Sequence, residues 1–146
     1  GAGRGVIVRV EELQATMLRV RLAQLEHDNE RRRKIAGQYD SGLDGTNLLL
    51  PSVQTGAEHV YHQYVVQTER RDELQSFLRD RGVATALHYP CPVHQQPAYA
   101  DRLIGADQLP VTEAIRSRIL SLPMFPQLAD ADVATVIDVI RDWPSS

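Results

Sequence analysis

The chain has 146 residues, enough for one domain, and its 42% hydrophobic content excludes a disordered tail. A net charge of -3 excludes general attraction to nucleic acid or anionic membranes, and no apolar run approaches the roughly 20 residues that cross a bilayer. The single cysteine, Cys91, excludes an intrachain disulfide, and these bounds together predict a soluble cytoplasmic protein.

Residues 1–40 are predicted to form a flexible opening and one long connecting helix from about Glu11 to Tyr39. Apolar residues recur at helical spacing in its first half, at Leu13, Met17 and Val20. Such a helix would span on the order of 40 Å, which is longer than a compact domain of this size needs. We therefore expect it to connect to another unit, and we expect its apolar stripe to promote self-association.

Residues 41–146 are predicted to form a small C-terminal α/β domain of the α+β class, in which about three strands are covered by helices. A short apolar run at residues 48–50 indicates a further edge strand. Runs of β-branched and aromatic residues predict strands over Val60–Val66, Val83–Tyr89 and Ile119–Pro123. Helical spacing of apolar residues predicts helices over Arg70–Arg81, Thr112–Arg118 and Asp130–Trp143.

Histidines and a cysteine in the second half of the chain raise the hypothesis of a metal site, because imidazole and thiolate are the usual zinc ligands. His59 and His62 are three residues apart on a predicted strand, which sends them to opposite faces. His88, Cys91 and His94 match no zinc signature in their spacing. We therefore predict no metal site.

The loop that carries these residues admits two other interpretations. Cys91 could act as a nucleophile activated by His88 or His94, although a packing role for the thiol is favoured. His88 and Tyr89 follow a predicted strand, where side chains commonly hydrogen-bond a polar small molecule. The alternative, that they only satisfy local backbone groups, stays open.

Lys34 is the only lysine among the 16 basic residues, and the other 15 are arginines. Arginine is always protonated and cannot form a Schiff base with a carbonyl cofactor. Lys34 itself lies on a charged, solvated face of the predicted helix, whereas a catalytic lysine needs a desolvated pocket. We therefore expect no residue of this chain to hold such a cofactor covalently.

Four stretches carry a family resemblance when they are taken in order, at residues 9–15, 59–64, 88–90 with 92–99, and 120–126. Together they resemble the C-terminal portion of the DegT/DnrJ/StrS family of nucleotide-sugar aminotransferases. The resemblance implies a fold-type I transaminase, built as a homodimer, whose large N-terminal domain holds pyridoxal phosphate. It also implies transfer of an amino group from glutamate or glutamine to a nucleotide-linked keto-deoxysugar, in antibiotic or polysaccharide biosynthesis.

The resemblance also assigns roles to individual residues. It implies substrate binding by His88, Tyr89 and His94, and it implies that Arg9 is presented to the cofactor phosphate of the dimer partner. It implies no catalytic residue in this chain, because the family's Schiff-base lysine belongs to the large domain. We therefore expect the chain to be inactive alone.

One departure from the family pattern supports a second hypothesis. The asparagine that precedes the arginine of the family element is replaced by Ile7, followed by Val8, so apolar side chains stand where a polar phosphate contact is expected. A binding or assembly module that kept the fold and lost the catalytic site is therefore the alternative.

Overall fold

A computed structural model describes residues 12–99, 102, 105 and 108–144. Within these residues the chain forms five α-helices, a short 3-10 turn and two β-strands. The helices are α1 Glu12–Leu22, α2 Leu25–Gly42, α3 Arg71–Arg79, α4 Pro110–Ile115 and α5 Asp130–Arg141. The strands are β1 Tyr64–Gln67 and β2 Ile119–Leu122, and the 3-10 turn is Val93–Gln95. The α+β class is confirmed.

The continuous helix predicted over residues 11–39 is instead two helices that meet at Ala23 and Gln24. The amide of Gln24 bonds to the carbonyl of Arg21, three residues back rather than four, and this tighter turn interrupts the α-helical ladder. No glycine or proline marks the interruption. The second helix passes through Gly37, whose cost of about 1 kcal/mol relative to alanine is offset by burial of the neighbouring turn.

The sheet has two regular strands rather than the three predicted. β1 and β2 pair antiparallel, with Tyr64 opposite Leu122. The third predicted strand and the further edge strand contribute one residue each: Ala86 exchanges hydrogen bonds with Ser121 on β2, and Leu49 exchanges hydrogen bonds with Gln67 on β1. The segments therefore lie in the spatial order 49, β1, β2, 86.

Arg32 gives a physical reason for the late start of β1. Its guanidinium donates to the carbonyls of Tyr61, His62 and Met124, at 3.4, 3.3 and 3.1 Å. Tyr61 also has a positive φ of 46°, which lies outside the β region. The carbonyls of Tyr61 and His62 therefore bond to a helix side chain, and the ladder begins at Tyr64.

The core lies between the helix pair α2/α5 and one face of the sheet. Side chains of that face alternate inward along both strands, as the pleat requires. α3 packs on β2 through Leu74 and Leu78, and Gly82, at φ +80°, ends that segment in the conformation that glycine tolerates best. The fully buried core side chains include Ile35, Tyr39, Tyr64, Val66, Leu74, Leu78, Leu120 and Val133.

The division of the chain at residue 40 stays a prediction. α1 has no buried residue, which fits a connecting element. The second half of α2 buries Ile35, Ala36 and Tyr39, so it contributes to the same core as residues 41–144.

Candidate functional site

His88, Tyr89 and His94 lie around one cavity of about 450 Å³, which we call the loop cavity. Its walls come from the loop of residues 88–96, from α4 and from the first residue of β2. The lining residues are His88, Tyr89, Cys91, Pro92, Val93, His94, Gln96, Leu109, Thr112, Ile115, Arg116 and Ile119. The structure therefore brings together the three residues to which the resemblance assigns substrate binding.

The position of His88 is set by the sheet. Ala86 pairs with Ser121, and His88 follows two residues later, on the same side of the extended segment. The Nδ1 atom of His88 lies 2.9 Å from Oγ of Ser121, a side chain that is only 5% exposed. Ser121 therefore contacts Nδ1 of the imidazole and does not contact Nε2.

Tyr89 contrasts with its neighbour, because 71% of its surface is exposed. Its ring meets the ring of His88 edge-on, with 5.5 Å between centroids, and the peptide bond that joins the two residues is cis. The exposed phenol and the supported imidazole therefore stand side by side at the cavity wall.

His94 lies on the 3-10 turn, and its side chain is 8% exposed. Its Nε2 atom lies 2.5 Å from Oε1 of Glu113 on α4. The same carboxylate accepts from Nε2 of Gln95 at 2.7 Å and from Nε of Arg116 at 3.0 Å. The guanidinium of Arg116 also donates to Oε1 of Gln95 at 2.7 Å, which completes a hydrogen-bonded cluster between the turn and α4.

Arg116 is the one permanently charged side chain among the described lining residues of the loop cavity, and its guanidinium pairs with Glu113 at 3.0 Å. Two histidines also line the cavity, whereas no carboxylate is among the described lining residues. Glu113 stands behind the wall, and the hydrogen bond from His94, followed by the charge of Arg116, lowers the pKa of its carboxyl. The lining therefore offers hydrogen-bond donors from a guanidinium whose charge is largely balanced by Glu113.

A second cavity of about 260 Å³ adjoins the first, and both are lined by His88. Its wall includes Ser121 on β2, Pro123 and Met124 directly after that strand, and His62. His88 therefore separates two concave surfaces.

Three supporting residues were missed by sequence reasoning: Ser121, Glu113 and Arg116. Glu113 and Arg116 have the i,i+3 spacing of a helical ion pair, a signal that is visible in the sequence but common on solvated helices. Ser121 stands between two leucines in a strand, and only the strand pairing shows that it faces His88.

The contacts of Cys91 do not resemble those of an activated nucleophile. Its thiol is exposed and lies 3.6 Å from the carbonyl of Pro92. The hydrogen bonds of the two nearby histidines go to Ser121 and Glu113 instead. Within the described part of the chain, no three His, Cys, Asp or Glu side chains are grouped so that they could hold a metal ion.

Lys34 lies away from the loop cavity, in a groove between α2 and α5 that shares no lining residue with it. Its side chain is 60% exposed, and its ammonium pairs with Asp130 at 3.0 Å. A solvated, ion-paired ammonium does not fit covalent attachment of pyridoxal phosphate, which needs a desolvated amine. Arg9, assigned to the cofactor phosphate by the resemblance, lies outside the described residues.

No helix in the described ranges is both long and apolar enough to span a membrane.

The model of the DegT/DnrJ/EryC1/StrS aminotransferase family matches residues 1–141. The dTDP-3-amino-3,4,6-trideoxy-alpha-D-glucose transaminase of Streptomyces venezuelae is 43% identical over 141 residues, which are 96% of this chain and 37% of that protein. The UDP-N-acetyl-3-dehydro-alpha-D-glucosamine 3-aminotransferase of Acidithiobacillus ferrooxidans is 40% identical over 133 residues, covering 91% and 36%.

Among solved structures, S. venezuelae DesV in complex with a ketimine intermediate superposes with a TM-score of 0.87 at 44% identity, covering 92% of this chain and 37% of that one. The fold is thus shared with sugar aminotransferases of fold type I. The chain spans about 37% of the length of the relatives it matches.

Proposed function

The chain belongs to the DegT/DnrJ/EryC1/StrS aminotransferase family, and we propose that it forms the C-terminal part of a pyridoxal-phosphate-dependent nucleotide-sugar aminotransferase. The reaction converts glutamate or glutamine and a nucleotide-linked keto-deoxysugar into the corresponding oxo acid and amino sugar. Relatives are named for dTDP-linked and UDP-linked sugars, which supports a nucleotide diphosphate as the carrier. Antibiotic sugar or polysaccharide biosynthesis in the cytoplasm is the proposed setting.

The observation that carries this proposal is the convergence of His88, Tyr89 and His94 on the loop cavity. In the proposed complex, these side chains bind and orient the nucleotide sugar. His88 is held through Nδ1 by Ser121, and the exposed hydroxyl of Tyr89 is free to donate to sugar or phosphate oxygens. The guanidinium of Arg116 in the lining supports binding of a diphosphate.

The cofactor is proposed to be held mainly by residues outside this chain. Pyridoxal phosphate supplies the electron sink for amino transfer and is held as a Schiff base by a lysine. Lys34 does not fit that role, because it is exposed and paired with Asp130. We propose that Arg9 contacts the cofactor phosphate across a homodimer, and that this chain alone does not catalyse transamination.

A spectrum tests the cofactor assignment. The purified chain mixed with pyridoxal phosphate is expected to show no stable visible band of a lysine adduct. The Lys34→Ala variant should give the same spectrum as the unmodified chain. A stable band that Lys34→Ala abolishes would contradict the proposed role of the lysine.

A chimera tests the activity itself. Replacing the matching 37% of the S. venezuelae relative by this chain should preserve transamination of the relative's dTDP-linked sugar. His88→Gln or His94→Gln in the chimera should raise KM for the sugar. His27→Gln, which changes an exposed histidine on α2, is the matched control and should leave KM unchanged.

The alternative is a non-catalytic binding or assembly module, which the apolar residues Ile7 and Val8 favour. If the chimera folds and binds pyridoxal phosphate but transfers no amino group, and restoring asparagine at position 7 recovers activity, the module is supported. Activity without that change supports the enzyme.

A further inference from the structure

We propose that Glu113 is a positioning residue for the loop cavity, where it arranges His94 and Arg116 against the ligand without lining the cavity itself. The inference rests on the proposed function in one respect, namely that His94 contacts the substrate. It adds a residue that acts on the cavity through the two lining residues that it bonds, His94 and Arg116.

The geometry of the cluster supports this role. Oε1 of Glu113 lies 2.5 Å from Nε2 of His94 and 2.7 Å from Nε2 of Gln95, whereas Oε2 lies 3.0 Å from Nε of Arg116. One carboxylate therefore joins the 3-10 turn, α4 and both basic residues that it supports at the cavity wall. Through Gln95, the turn is also tied to the guanidinium.

The charge of Glu113 determines that Nε2 of His94 is the protonated nitrogen in the hydrogen bond between them. Its carboxyl pKa is lowered, first by the hydrogen bond from His94 and then by the charge of Arg116, so it is ionised at neutral pH. An ionised carboxylate only accepts hydrogen bonds, so Nε2 of His94 must donate. Nδ1 is then the nitrogen that Glu113 does not engage, in a ring of fixed orientation.

A role limited to stability explains the cluster less well. Glu113 has a 40% exposed side chain, and exposed ion pairs contribute little to folding. His94, in contrast, is 8% exposed and lines the cavity, so the direction of its ring depends on its partner. The main effect of Glu113 is therefore on ligand binding.

The experiment compares variants of the full 146-residue chain in two measurements. Long-range ¹H–¹⁵N spectra report which nitrogen of His94 is protonated, and calorimetry reports affinity for thymidine diphosphate as the probe. The variants are Glu113→Ala, Glu113→Gln, His94→Gln and the double variant Glu113→Ala/His94→Gln. Glu73→Gln is the matched control, because Glu73 is likewise bonded by an arginine three residues away, at 2.7 Å.

The expected result is that Glu113→Ala changes the protonation pattern of His94 and weakens probe binding about tenfold. Glu113→Gln keeps an acceptor oxygen and should fall between the alanine variant and the unmodified chain. The double variant should lose less than the product of the two single losses, because both act on one ring. Glu73→Gln should match the unmodified chain.

Two results would overturn the proposal: an unchanged nitrogen pattern of His94 in Glu113→Ala, or losses of affinity that multiply fully in the double variant. If the unmodified chain does not bind the probe, the loop cavity of this chain does not bind the diphosphate by itself, and the KM of the His94→Gln chimera decides the proposed substrate site. The spectra then still decide whether Glu113 positions His94.

Discussion

Gly42, the last residue of α2, lies where that helix meets α5, and it has no room for a side chain. A Cβ atom at this position would lie 2.5 Å from Cδ1 of Ile137, 2.8 Å from its Cγ2 and 3.0 Å from its Cγ1. Ordinary contacts between carbon atoms are about 3.5–4.0 Å. Rotation about the outer bond could move Cδ1, but Cγ1 and Cγ2 are both attached to Cβ, and isoleucine in a helix keeps one χ1 rotamer.

We therefore expect Gly42→Ala to push the two helices apart and to destabilise the protein by about 1–3 kcal/mol, the range for overpacking. The hydrogen bond of 2.6 Å from Nε of Arg141 to the carbonyl of Gly42 would be stretched by the same shift. For a chain of this size, the melting temperature should fall by roughly 3–12 °C.

Gly37 is the matched control, since it lies in the same helix with nothing within 4 Å of its would-be Cβ. Gly37→Ala should stabilise the protein by up to about 1 kcal/mol, because alanine has the higher helix propensity. Urea unfolding followed by circular dichroism measures both variants. In the double variant Gly42→Ala/Ile137→Ala the clash is relieved. The double variant should therefore lose less free energy of unfolding than the sum of the two single losses.

A Gly42→Ala variant as stable as Gly37→Ala would show that Ile137 leaves room for a methyl group at position 42. Additive losses of Gly42→Ala and Ile137→Ala would show the same, because the alanine methyl would then not meet the isoleucine.

Three further predictions concern pH, the site and association. The hydrogen bond from Arg31, followed by the one from Lys34, lowers the pKa of Asp130 to about 2 from 3.8, so its contribution to stability is present above pH 3.8 and is lost as the pH falls through 2. The Asp130→Asn variant should therefore have a lower free energy of unfolding than the unmodified chain at pH 6, and the two values should converge near pH 2. Ser121→Ala should weaken binding of thymidine diphosphate by several-fold with little change in melting temperature, since it removes the partner of a half-buried ring; equal affinities would contradict this. The exposed apolar side chains of α1 predict self-association in sedimentation, which Met17→Ser should weaken and which a monomer at high concentration would contradict.

The existence and order of the main elements could be predicted from local pattern. The helical spacing of Val133, Val136 and Ile140 predicted α5, and all three are buried. The β-branched run ending at Val66 predicted β1, although the strand begins four residues later than expected. Periodicity identifies which face of a segment is apolar, but it does not show where the hydrogen bonds of that segment go.

The supporting contacts of the site depended on tertiary structure for that reason. Arg32, on a helix about 30 residues earlier, bonds the carbonyls of Tyr61 and His62 just before β1. Nothing near residue 61 in the sequence indicates this contact. The position of Ser121 behind His88 requires the pairing of β2 with Ala86, across 35 residues. Such partners are chosen by register and packing, which local sequence does not encode.

The α+β class, the family resemblance and the presence of a single lysine could be predicted from the amino-acid sequence, because they depend on composition and ordered motifs. That His88 and His94 share a cavity, and which side chains support each ring, depended on the folded chain. The hydrogen-bond partners of a buried or half-buried group are those that folding brings within about 3 Å, whatever their distance along the chain.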